Sequence, residues 1–177
     1  CIRDRDSALA AAKRGKNTSM WLAIESVKNK TSDIIISAGN TGALFVISKL
    51  NLKMIENIDK PALSGLWPNR VGMNIVLDLG ANIECNEKNL MDFSIMGSAL
   101  YRSLFDNDTA KVALLNIGLE ENKGSDILKK TFSILKNDYR TAPHAVRRSM
   151  MQDFPAAPAD ANLSGYFAYD IVVNCDR

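Results

Sequence analysis

The chain has 177 residues, 46% of them hydrophobic and 24% charged, with a net charge of +2 at pH 7. That length suits one domain with a real core, the composition is that of an ordinary soluble globular protein, and the charge is too small to argue for a nucleic-acid partner. Widely spaced Cys1, Cys85 and Cys175, the single His144 and the lack of a C-x-x-C pair argue against a zinc site or disulfide scaffold and for a reducing cytosol; no apolar run approaches the ~18 residues that span a bilayer.

The chain begins at Cys1 with neither Met nor a signal-peptide pattern, so an upstream part is expected to be missing. Arg3, Arg5, Lys13, Arg14 and Lys16 against Asp4 and Asp6 make the start basic, as a solvated surface or as a lip for an acidic partner. Residues 7–16 read as a helix closing at Gly15, a good residue to end one. Asn17 or Thr18 can cap a second helix, with Met20, Trp21, Ile24 and Val27 on one face. Trp21 reads as core.

Residues 33–36, Asp-Ile-Ile-Ile, read as a buried strand. Ser37-Ala-Gly-Asn-Thr-Gly42 reads as a tight turn, and residues 43–50 as a helix. A strand that runs through small residues into a helix makes an anion site, because the first helical N–H groups lack intrahelical partners and the dipole end is positive. Gly39 and Gly42 permit a close backbone approach, while Asn40 and Thr41 can donate and cap. Residues 51–72 read as a crossover with a loop near Trp67, since Pro61, Gly65, Pro68 and Gly72 interrupt regular structure.

Residues 73–78 form a second apolar strand that ends in the turn Leu79-Gly-Ala-Asn82. A helix follows over about 87–104, with Leu90, Phe93, Ser94, Gly97 and Leu104 along one side and Met91, Ile95 and Met96 widening the stripe. Residues 111–116 are a third strand, followed by Ile117-Gly-Leu-Glu-Glu-Asn-Lys-Gly124 and a helix over 125–136. Residues 137–168 show no clear period, and 169–173 read as one more short strand. Strand, glycine loop and helix thus recur three times. The alternation predicts a single α/β domain over 1–177: a three-layer α/β/α sandwich with a mostly parallel, Rossmann-like sheet and right-handed crossovers. Ligands bind beyond the carboxyl ends of such strands, so all three glycine loops are expected on that edge.

Nucleotide fingerprints fail. No G-x-G-x-x-G occurs, and Gly118 to Ser125 misses the Walker A order because Lys123 precedes Gly124. No Ser-His-Asp or Cys-His set can be assembled. His144 reads as incidental, and Cys85 as structural, because no neighbouring base or cation can be named to activate it. Asp78, at a strand end, is open to either a structural or a functional role. Glu120, Glu121 and Lys123 are either a charged surface turn or a gate.

Four blocks together resemble the phosphate acyltransferases of bacterial phospholipid synthesis, the PlsX family. They are Lys13-Arg-Gly-Lys-Asn-Thr-Ser-Met-Trp-Leu-Ala-Ile24; Ser37-Ala-Gly-Asn-Thr-Gly-Ala43; Val76-Leu-Asp-Leu-Gly-Ala-Asn82 with Cys85, Phe93, Met96 and Gly97; and Val112-Ala-Leu-Leu-Asn-Ile-Gly118 with Glu120, Glu121, Lys123 and Gly124. The resemblance covers residues 10–136. The family's opening Asp-x-Met-Gly-Gly-Asp loop and later Gly-Phe-Thr-Gly-Asn continuation are absent, so the chain is expected to be a fragment of a longer protein.

The resemblance implies transfer of an acyl group from acyl carrier protein to inorganic phosphate, with no metal or organic cofactor. It implies that Ser37, Gly39, Asn40, Thr41 and Gly42 hold phosphate, that Asp78 and Asn82 orient it or the thioester, and that Asn116 and Lys123 complete the pocket. It also implies a cytoplasmic homodimer with peripheral association at the inner face of the membrane; Leu52, Met54 and Ile55 read first as buried core and second as contacts for that surface. The acidic carrier would suit the basic N-terminal lip. Two other readings stand beside it: a phosphotransacetylase-like enzyme using acyl-coenzyme A, and a non-catalytic fragment that binds phosphate or the carrier.

Overall fold

Thr18 separates the first two helices. Its Oγ1 donates to the Gly15 carbonyl at 2.7 Å and accepts from the Trp21 N–H at 3.3 Å. It thereby closes α1 (Ala8–Arg14) with its 3₁₀ extension (Gly15–Asn17) and caps α2 (Ser19–Lys28). The computed structural model describes residues 7–68, 72–105, 110–116, 124–137, 145–149 and 171–174. They fall into two compact units, Cys1–Pro61 and Ala62–Arg177.

In the first unit α1 and α2 both pack on α3 (Thr41–Leu52). The core is Ala11, Ala12, Met20, Ile24, Ala43 and Ile47, with Trp21 and Ile35 packed against it. Trp21 is thus half-buried and packs against this core. The strand expected over 33–36 does not form: the backbone there pairs with no described strand, and Ile34 and Ile36 are 76% and 94% exposed while Ile35 turns inward. β-branched residues favour extended backbone, but only a neighbouring strand turns extended backbone into sheet. Leu52 and Ile55 are exposed and Met54 is half-buried.

Among its described residues the second unit is one five-stranded sheet with two helices. Its strands are β1 (Gly65–Pro68), β2 (Met73–Leu77), β3 (Lys111–Asn116), β4 (Ala145–Ser149) and β5 (Ile171–Asn174), in the order β1-β2-β5-β3-β4. The expected mostly parallel sheet is not what these strands make. β1–β2, β2–β5 and β5–β3 are antiparallel, and only β3–β4 is parallel. β1 lies inside the stretch read as a crossover, and its short link to β2 permits only antiparallel pairing. β4 lies inside the stretch read as irregular. The chain is α/β all the same, and β2, β3 and β4 run in one direction, because β2 and β3 both oppose β5.

α4 (Glu87–Leu104) and α5 (Asp126–Asn137) cover one face of this sheet. α4 starts where its capping box dictates: Asn86 accepts from the Asn89 N–H at 2.9 Å and donates its own N–H to Asn89 Oδ1 at 3.2 Å. Ile75, Leu77, Val112 and Leu114 point to the helices and pack with Leu90, Phe93, Tyr101, Leu128 and Leu135. Val76, Ala113 and Leu115 point to the other face, where Leu79 packs with them. Period-two alternation with both sides buried explains the continuous apolar runs. Leu104, expected on the buried stripe, is exposed, and Tyr101 takes that side, stacked against Phe105 with ring centroids 4.8 Å apart.

Candidate functional site

The glycine loop of the first unit is built by its own side chains. Ser37 Oγ accepts from the Gly39 N–H at 3.3 Å, and Asn40 Oδ1 accepts from the Ala43 N–H at 2.8 Å. Asn40 is the cap of α3, so the helix begins at Thr41, two residues ahead of expectation. Thr41 and Gly42 are its first two residues, both exposed, and their N–H groups have no acceptor within the helix. An anion at this end would meet those two donors and the positive end of the dipole.

The glycines themselves serve packing. A Cβ on Gly42 would sit 3.3 Å from Ala8 Cβ of α1, and one on Gly39 would sit 2.9 Å from Met20 Cε of α2. They let the loop lie against the two preceding helices, a role that no local pattern discloses.

In the second unit β2 and β3 run the same way, so Asp78, just past β2, and Asn116, at the end of β3, lie on one edge of the sheet. With β5 between them, the two strands are ~10 Å apart. Asp78 is 3% exposed, and the Leu77–Asp78 peptide is cis. Its Oδ1 accepts from the Leu63 N–H at 2.7 Å; its Oδ2 accepts from the Asn82 N–H at 2.6 Å and from Asn82 Nδ2 at 2.9 Å. The Leu79 N–H donates to the Leu63 carbonyl at 3.0 Å. Leu79 covers Gly65, where a Cβ would fall 2.5 Å from its Cδ1. Residues 78–82 are thus bound to the segment before β1. Leu63 is absent from any reading of the sequence because it acts through its backbone, and only the glycine two residues later hints at a close approach.

Gly80 makes the bend at φ 73°, with its N–H on the Asp78 carbonyl at 2.7 Å. An L side chain there meets the left-handed penalty, so Gly80→Ala is expected to lower stability by about 1–2 kcal/mol in urea unfolding.

The structure therefore brings Asp78 and Asn82 into contact and puts Asn116 on their edge, while Ser37, Gly39, Asn40, Thr41 and Gly42 belong to the other unit. Lys123, Glu120, Glu121, Cys1, Cys175 and His144 lie outside the described residues. Cys85 is buried in the core of the second unit, as its structural reading requires. Among the described residues no group of three or more His, Cys, Asp or Glu could hold a metal ion, and no helix is long and apolar enough to cross a membrane.

Residues 1–142 match the family model described as "Fatty acid synthesis protein". The chain is 70% identical over 140 residues to the phosphate acyltransferase of Pelagibacter ubique (strain HTCC1062), a span of 79% of this chain and 42% of that protein. It is 42% identical over 135 residues to the phosphate acyltransferase of Maricaulis maris (strain MCS10), and 45% over 134 residues to that of Brucella canis (strain ATCC 23365 / NCTC 10854 / RM-666). Each of these two matches covers 76% of this chain and 38% of the relative. The chain thus spans well under half the length of the curated relatives it matches. With most of its residues inside the match, the chain belongs to the fatty acid synthesis protein family.

Proposed function

We propose that this chain is part of an acyltransferase that moves a fatty acyl group from acyl carrier protein to inorganic phosphate, giving acyl phosphate for phospholipid synthesis. The observation that carries the reading is the 70% identity to a protein named phosphate acyltransferase. The loop chemistry supports it: two exposed helix-start N–H groups beside Asn40 suit a tetrahedral anion.

In the reaction a phosphate oxygen attacks the thioester carbonyl carbon. The C–O bond forms, the carbonyl oxygen carries the negative charge of the tetrahedral intermediate, and the C–S bond then breaks. The carrier leaves as thiolate and is protonated to the thiol, the proton being the one that the attacking hydrogen phosphate gives up, relayed by water. Catalysis is alignment of phosphate with the carbon plus donors for the oxyanion. Ser37, Gly39, Asn40, Thr41 and Gly42 are assigned to phosphate, and Asp78, Asn82, Asn116 and Lys123 to orientation of the reactants and completion of the pocket. No cofactor enters. We further propose that the whole protein is a cytoplasmic homodimer at the inner face of the membrane, built as a three-layer α/β/α sandwich; β3, α5 and parallel β4 form one strand–helix–strand unit of that kind.

The test compares donors with the full gene product. Acyl-carrier thioester should support phosphate-dependent acyl phosphate formation at least about tenfold faster than acyl-coenzyme A, about 1.4 kcal/mol in transition-state binding; the reverse preference would establish the phosphotransacetylase-like reading instead.

A further inference from the structure

Residues 34–36 of the first unit are apolar on both sides and bare along both edges. Ile34 and Ile36 are 76% and 94% exposed, while half-buried Ile35 turns the other way and packs on the core of α1, α2 and α3. Among the described residues no backbone N–H or C=O of these three isoleucines makes a hydrogen bond. Soluble proteins guard an open strand edge with charge or proline, and this one has neither: no charged residue and no proline occurs between Asp33 and Lys49. Apolar side chains on both faces with open backbone on both edges are the marks of an interior strand without its neighbours.

The choice of occupant follows from what each would leave unsatisfied. A lipid surface would take the isoleucine side chains but strand the backbone groups, which hydrocarbon does not tolerate. A second copy meeting this segment across a two-fold axis would pair one edge and leave the other open. The rest of the same protein can serve both edges and the bare face. The chain spans 42% and 38% of two curated relatives, so more than half of each relative's length has no counterpart in these 177 residues.

We infer that residues 34–36 are an interior strand of the full gene product, paired on both edges, and that chain outside these 177 residues covers the face formed by Ile34 and Ile36. Ser37 follows directly, so this pairing holds the entry of the glycine loop as the Asn40 cap holds its exit. The inference does not depend on the acyl-transfer reading.

Residue-resolved hydrogen exchange on the full gene product tests the pairing. Successive residues of a strand direct their N–H groups to opposite edges. The Ile34, Ile35 and Ile36 amides should therefore all exchange at least about 1000-fold slower than in an unstructured peptide. Fast exchange of all three overturns the inference, and so does slow exchange of Ile35 alone or of Ile34 and Ile36 alone, the pattern of pairing on one edge. Methyl NOEs identify the occupant. Those from Ile34 and Ile36 should reach residues of the same chain outside the 177; their absence, or contacts seen only between differently labelled copies, would overturn the inference. Ile36→Lys should lower the thermal midpoint of the full gene product by at least roughly 5 °C, because the charge would be buried. An unchanged midpoint is the result of a solvent-exposed position and contradicts the inference; if the variant does not fold, the exchange and NOE measurements on the wild type still decide.

Discussion

Phe93→Ala is expected to destabilise the second unit by about 3–5 kcal/mol, the usual cost of truncating a fully buried aromatic. Phe93 is 0% exposed at the middle of α4, in the cluster that joins β2, β3, α4 and α5. That helix packs on β2, β3, β5 and α5, so a cavity there has no free surface into which to collapse. A domain holds only about 5–15 kcal/mol in total, so the loss is a large share. The two tryptophans make the measurement unit-specific, because Trp21 lies in the first unit and Trp67 on β1 of the second. In a Trp21→Phe background, urea unfolding followed by Trp67 emission should show the loss. Ile134→Ala, at a position 45% exposed on α5, should stay within about 0.5 kcal/mol. A Phe93→Ala loss below about 1 kcal/mol would contradict the packing described.

The second large effect is expected at Asn40, where capping and anion binding can be pulled apart. Asn40 Oδ1 caps α3 through the Ala43 N–H. Asn and Asp are equivalent caps, whereas Ala costs about 1 kcal/mol. Asn40→Asp should therefore keep stability within about 0.5 kcal/mol while putting a negative charge beside the proposed phosphate. Two unit charges ~4 Å apart repel by about 1 kcal/mol in water and about 4 at an effective dielectric of ~20. A value between these raises the phosphate KM on the order of 100-fold. Asn40→Ala should lose stability and raise that KM only about tenfold. If Asn40→Asp uses phosphate as well as wild type, the anion does not sit at this helix start.

The sequence was most informative where one local signal decided the outcome. α4 begins at Glu87 because Asn86 and Asn89 cap each other, and its 3.6-residue stripe carries it to Leu104. α5 lies within a residue of expectation, since its apolar positions also follow one stripe. β2 and β3 were legible as apolar runs because both of their faces are buried.

The residues that misled were those whose structure depends on distant partners. Ile34 and Ile36 have the composition of a core strand, and no local property reports that the described chain supplies no neighbour for them. Gly65 and Pro68 looked like breakers; at a sheet edge proline is tolerated, and Gly65 makes room for Leu79. β5 inserts between β2 and β3 from far along the chain, which no short-range pattern encodes.

The candidate site divides the same way. Asn40 as a helix cap and Asp78 with Asn82 on one turn were visible as motifs. The Leu63 N–H, and the packing roles of Gly39 against Met20 and Gly42 against Ala8, are tertiary facts.

The most direct test of the central proposal follows both products at once. The full gene product, given long-chain acyl carrier protein and inorganic phosphate, should release carrier thiol and form acyl phosphate one for one, with no thiol released when phosphate is omitted. Thiol release at the same rate without phosphate, or the absence of acyl phosphate by phosphorus NMR, would contradict the assignment.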